Sequence, residues 1–128
     1  MILVDSDIIV DLIRNFPPAV NWFKSVSKSE EIFVPGFVVM EMIQGCKNKE
    51  EQDRVQKLLM GYSVVWLPPD ECNLALENFS TYWLSHNIGL VDILIGQTAI
   101  ALKTRLFTFN QKHYSIIPNL ETIQPYKK

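Results

Sequence analysis

Short apolar runs alternate with longer amphipathic segments along the whole chain, and this alternation restricts its fold more than any other feature. Ile2-Leu3-Val4 is short, apolar and β-branched, the pattern of a buried strand. A helical stripe of Ile8, Ile9, Leu12 and Ile13 follows, with Ser6 placed to cap it. Pro17-Pro18 ends that unit and opens a second helix whose inward positions are Val20, Phe23 and Val26. Ile32 to Val34 reads as the next strand, and Pro35-Gly36 leads into a helical run from Phe37 to about Cys46. The segment from Asn48 to Met60 is charged and amphipathic, and Val64 to Leu67 is a third strand closed by Pro68-Pro69. Helices from about Asp70 to Ser85 and from about Val91 to Lys103 precede a fourth strand, Leu106 to Phe109. Glu121 to Gln124 adds a short fifth. The predicted class is α/β: a single domain over residues 1–128 with a parallel central sheet of four to five strands flanked by helices.

In such sheets ligands bind beyond the carboxyl ends of the strands, and acids gather there. Asp5 directly follows the first strand; on its own it reads equally well as a helix cap. Glu41 interrupts Phe37-Val38-Val39-Met40-Glu41-Met42-Ile43, with Phe37, Val38 and Gly45 on its own helix face. An unpaired carboxylate is costly to bury, so either an ion pair with a Lys or Arg or a bound metal accounts for it. Asp92 opens Val91-Asp92-Ile93-Leu94-Ile95-Gly96 and heads the apolar stripe, which capping alone does not explain. Three acids so placed form an oxygen-only ligand set suited to Mg²⁺ or Mn²⁺ and to phosphate chemistry.

Charge and cysteine content narrow the alternatives. Lys plus Arg is 12 and Asp plus Glu is 14, a formal charge of −2, so bulk charge is not what would hold a nucleic acid. Carboxylates at a metal site are offset once the cation binds, so such a substrate is still allowed. Cys46 and Cys72 are far apart and belong to no Cys/His cluster, which argues against zinc and against a disulfide framework. Nothing in the sequence reads as a signal peptide or membrane span, and a cytoplasmic location is expected.

Four blocks of the chain resemble the PIN-domain family, and most closely its VapC-like toxin branch. They are Ile2-Leu3-Val4-Asp5-Ser6-Asp7, then Val34 to Gly45 around Glu41, then Asp92-Ile93-Leu94-Ile95-Gly96-Gln97-Thr98-Ala99, then Leu106 to Tyr114. They fall in the family's order and spacing and span nearly the whole chain. The resemblance implies a parallel sheet of about five strands with acids at its carboxyl edge. It also implies Mg²⁺- or Mn²⁺-dependent cleavage of RNA, homodimerisation, and inhibition by a small antitoxin protein whose C-terminal segment occupies the active-site groove. Asp5, Glu41 and Asp92 are the implied metal-binding catalytic acids. Many relatives carry a fourth acid in the last block, where this chain has Asn110 and His113. Asn110 is then expected to orient a water, Thr108 to hydrogen-bond a neighbouring carboxylate, and Ser6 and His113 to support the acids. A PIN nuclease of RNA processing without an antitoxin, and a PIN scaffold that binds without cutting, are the competing functions.

Other polar residues read as ordinary surface. Asp7 and Asp11 sit opposite the apolar stripe beside Arg14 and are expected on a solvated face, with Asp7 near enough to Asp5 to assist it. His86 precedes Asn87-Ile88-Gly89 and reads as a helix-end residue. Lys47, Lys49, Lys103, Arg105 and Lys112 are candidates for a phosphate path, and Trp22, Trp66 and Trp83 for core or interface.

Overall fold

Strand β1 (Ile2–Val4) lies at the centre of a five-stranded, wholly parallel sheet of order β3-β2-β1-β4-β5. Its three residues are all buried, as expected where helices cover both faces of a parallel sheet. The computed structural model describes residues 1–128. From β1 the chain passes through α1 (Ser6–Ile13) and α2 (Pro17–Val26) to β2 (Ile32–Pro35). Helices α3 (Gly36–Gln44) and α4 (Lys49–Leu59) lead to the edge strand β3 (Ser63–Val65). The chain then returns through α5 (Pro69–His86) and α6 (Leu90–Ala101) to β4 (Leu106–Phe107), on the other side of β1. A short α7 (Gln111–Tyr114) and β5 (Thr122–Ile123) complete it.

Growth outward from β1 to β2 and β3, followed by return to β4, creates a topological switch between β1 and β4. The loops beyond the carboxyl ends of these strands diverge there and leave a crevice. The Asp5 N–H donates to the Phe107 carbonyl at 3.0 Å, which ties the ends of the two strands together at that point.

The structure adjusts several expected boundaries. Asp5 is the N-cap of α1, with its side chain accepting from the Ser6 N–H, so the acid performs the capping expected of Ser6. The fourth strand stops at Phe107 rather than Phe109, because the Phe109 N–H donates to the Asp7 carboxylate at 2.8 Å instead of to a neighbouring strand. The third strand is Ser63–Val65, ending before Trp66 and Leu67. Helix α7 was not expected; four residues are too few to display a helical period.

One core links the layers, with Leu3, Ile8, Ile9, Val34, Ile95 and Leu106 fully enclosed. Trp22 packs on Phe107 and Tyr126, but Trp66 and Trp83 remain 55% and 44% exposed. Cys46 and Cys72 are free and partly buried. No helix is long and apolar enough to cross a membrane.

Candidate active site

Three helices deliver the three acids to the switch point. Asp5 arrives from the end of β1 at the start of α1, Glu41 from α3 and Asp92 from the first turn of α6. Contact of α3 with both α1 and α6 brings their carboxylates together. Burial and the charges of Asp5 and Asp92 raise the Glu41 carboxyl to about 7. Asp5 is 3% exposed, and burial followed by the charge of Asp7 raises its carboxyl to about 6.

Each acid is held from a defined side. Asp5 Oδ1 accepts from the Ser6 N–H at 2.7 Å and Asp5 Oδ2 from the Thr108 hydroxyl at 2.9 Å. The Asn110 N–H in turn donates to Thr108 Oγ1 at 3.0 Å. His113 Nε2 lies 2.7 Å from Asp92 Oδ2, and the Tyr114 hydroxyl donates to Asp92 Oδ1 at 3.3 Å. Burial and the charges of Asp5 and Asp92 push the Tyr114 phenol well above its ordinary range, so it is a permanent donor. Gly89 makes room for this arrangement: a Cβ there would stand 2.8 Å from Asp92 Oδ2.

Thr108 and His113 therefore sit where the sequence placed them, in contact with Asp5 and Asp92. Ser6 acts on Asp5 through its backbone. Asn110 differs from expectation: its side chain is exposed and makes no hydrogen bond to the acids, and its backbone N–H is the group that serves the site.

The solvated face expected for Asp7 and Asp11 is not seen. Asp7 accepts from the Phe109 N–H and, at 3.3 Å, from Thr108 Oγ1, and burial raises its carboxyl above the ordinary range. Asp11 Oδ2 accepts from the Tyr126 hydroxyl at 2.7 Å and pairs with Lys128 at 3.0 Å, not with Arg14. The Tyr126 phenol is raised in turn by burial and by Asp11. Of the residues expected to line a phosphate path, Lys49 pairs with Asp53, while Lys103 and Arg105 precede β4 at the opposite edge of the sheet. Tyr114 was missed as a site residue, although a buried tyrosine always needs a partner for its hydroxyl.

The donor set fits a hard divalent cation. Glu41 Oε1 and Asp7 Oδ1 are buried without a hydrogen-bond partner. No Lys or Arg pairs with Asp5, Glu41 or Asp92. The side chains do not close into a ready-made cage of three metal donors. Mg²⁺ rarely uses such a cage, binding through one or two carboxylates and retaining waters for phosphate oxygens.

A family model described as PIN domain matches residues 2–117. Ribonuclease VapC10 and ribonuclease VapC19 of Mycobacterium tuberculosis are each 32% identical over 126 residues. These matches cover 98% and 94% of this chain, and 92% and 98% of the relatives. Among solved structures, a chain of VapBC2 from Rickettsia felis, crystallised with a DNA fragment from the promoter, superposes with a TM-score of 0.78 at 26% identity. That match covers 96% of this chain and 98% of the other. VapBC-1 from nontypeable Haemophilus influenzae has the same fold, with a TM-score of 0.77 at 24% identity and coverage of 97% and 98%. A family match running from β1 past α7, and relatives alike along nearly their whole length, establish that this chain belongs to the PIN-domain family.

Proposed function

We propose that this chain is the toxin of a toxin–antitoxin pair, an endoribonuclease that hydrolyses RNA phosphodiester bonds with Mg²⁺ or Mn²⁺ held by Asp5, Glu41 and Asp92. The observation that carries this reading is the convergence of three carboxylates without a Lys or Arg partner, one of them with a buried, unsatisfied oxygen. Two relatives at 32% identity are named ribonucleases, and the 26%-identical structure is a VapBC assembly. A small antitoxin and a second copy of this chain are the partners that follow.

A divalent cation supplies an activated water and offsets the negative charge that grows on the phosphate. The protein supplies position. Ser6 and Thr108 fix both oxygens of Asp5, while His113 and Tyr114 fix both oxygens of Asp92. Glu41 accepts no hydrogen bond from the chain and has one oxygen buried, so its carboxylate is left free to face the cation.

RNA cleavage by the purified protein with Mn²⁺, tested beside Asp5→Asn, Glu41→Gln and Asp92→Asn, is the direct experiment. Each variant should lose at least ~10²-fold in rate while keeping its circular dichroism spectrum. Cleavage retained by two of the three would remove the site assignment. Induced wild-type protein should arrest growth and Asp92→Asn should not. Cleavage in vitro without arrest in cells would indicate an RNA-processing nuclease that needs no antitoxin.

A further inference from the structure

Two grooves leave the acid cluster along the carboxyl edge of the sheet, in opposite directions. Toward β2 and β3, a cavity of about 540 Å³ between α1, α3 and α4 is lined by Ser6, Glu41, Arg14 and Arg54, among others. Toward β4, a cavity of about 590 Å³ is lined by His86, Asn110, Lys112 and His113, among others. Glu41 belongs both to the cluster and to the first groove. His113 lies in the second and bonds Asp92 at 2.7 Å. The acids therefore form the saddle between the two grooves.

The charges in these grooves are not committed elsewhere. Arg14, Arg54 and Lys112 pair with no carboxylate. Glu51, the other acid of the first groove, is engaged by the Lys47 N–H at 2.9 Å and sits in the first turn of α4. His86 Nδ1 meets Ser85 Oγ at 2.7 Å, which leaves Nε2 for a ligand. Among the Lys and Arg residues only Lys49 and Lys128 pair with a carboxylate, so it is the position of these cations in the two grooves beside the acids that sets them apart. Guanidinium and ammonium groups in this state suit phosphate oxygens.

We infer that an RNA strand crosses the sheet edge through both grooves, with its phosphates bound by Arg14 and Arg54 on one side of the cut and by Lys112 and His86 on the other. A site open at both sides accepts the interior of a chain, so the substrate extends in both directions from the scissile bond. The inference rests on the nuclease reading and adds residues which that reading does not use.

The test is binding of a labelled 20-nucleotide single-stranded RNA by fluorescence anisotropy, in Ca²⁺ and over a salt series. Three double variants are compared: Arg14→Ala with Arg54→Ala, His86→Ala with Lys112→Ala, and Lys103→Ala with Arg105→Ala at the opposite edge. The arginine pair should lose roughly 10-fold or more in affinity and about 1.4 in the slope of log K against log salt; the His86–Lys112 pair should lose about 0.7. The opposite-edge pair, with the same formal charge removed as the arginine pair, should match wild type. Arg14→Gln with Arg54→Gln replaces the alanine pair if that pair melts early. Losses in proportion to the charge removed, with the opposite-edge pair as weakened as the arginine pair, would mean bulk charge alone and overturn the inference, as would wild-type binding by both groove pairs. Loss in only one groove pair would overturn the two-sided path. Cleavage by wild type with unaltered binding in both groove pairs defeats this inference and leaves the nuclease reading standing. Groove-dependent binding without any cleavage does the reverse.

Discussion

At the scale of single residues, the site is a set of acids kept apart by donors. Glu41 has the clearest consequence. Its carboxyl is raised from 4.5 to about 7, first by burial and then by Asp5 and Asp92. A raised acid favours the folded state while protonated, so its contribution is complete below about pH 4.5 and lost as pH climbs toward 7. In EDTA, wild type should lose more melting temperature than Glu41→Gln between these pH values. Discounted for solvent screening of a partly exposed group, the difference is about 1 kcal/mol, or about 3 °C. Parallel curves for the two proteins would mean that neither burial nor the other acids raise Glu41. The hydrogen bonds also separate the two residues that stand where relatives carry a fourth acid. His113→Ala removes a bond to Asp92 and should cost ~10- to 100-fold in activity or Mn²⁺ affinity. Asn110→Ala keeps the backbone N–H that serves Thr108 and should cost far less. Steady-state rates across a Mn²⁺ titration decide the order.

At the scale of elements, helix beginnings do the placing. Asp5 caps α1 and Asp92 occupies the first turn of α6, so both carboxylates lie near the positive end of a helix dipole. The entry to α6 is the tightest of these joints. Gly89 has an ordinary φ of −68°, so its role is to leave space and not to permit an unusual backbone. Gly89→Ala should push Asp92 off its bonds with His113 and Tyr114 and slow cleavage by ~10- to 100-fold, as misplacements of about 1 Å do. Gly61→Ala, whose added Cβ meets nothing nearer than 3.7 Å, is the control and should keep the wild-type rate. Equal activity in both variants would show that the Asp92 position tolerates displacement. The shortest elements were the hardest to read from sequence. β4 loses two expected residues because Asp7 draws the Phe109 N–H out of the ladder, and α7 has a single turn.

At the scale of the molecule, a divalent cation should act as a stability ligand. The acids repel one another in the metal-free protein, and binding to the folded state alone shifts the unfolding equilibrium. At ~100 times the dissociation constant the gain is about 2.7 kcal/mol, enough to raise the melting temperature by several degrees. Mg²⁺ and Mn²⁺ should both do this, and Asp92→Asn should lose most of the effect. Thermal melts over a titration to millimolar metal are the measurement. Coincident wild-type curves throughout would leave the chain as a PIN scaffold that does not cut.

The sequence determined the parallel α/β class, nearly every strand and helix, and the positions of Asp5, Glu41 and Asp92, because these are consequences of local periodicity and of polar residues in apolar runs. It also placed Thr108 beside an acid, through the block it shares with the family. Tertiary structure alone decided what meets across the switch point. The bond from Thr108 to Asp5 spans 103 positions, and the bond from Tyr126 to Asp11 spans 115. Asp7 and Asp11 were read as solvated because they lie opposite the stripe that packs on the sheet. That face is covered by the β4 loop and the C-terminal segment, which arrive from the far end of the chain. Arg14, Arg54 and His86 likewise gained a site only when α1, α4, α5 and α7 came together around the sheet edge. A local pattern records which face of an element is apolar; which polar groups share a crevice depends on loop closure between distant segments, and no window along the chain contains it.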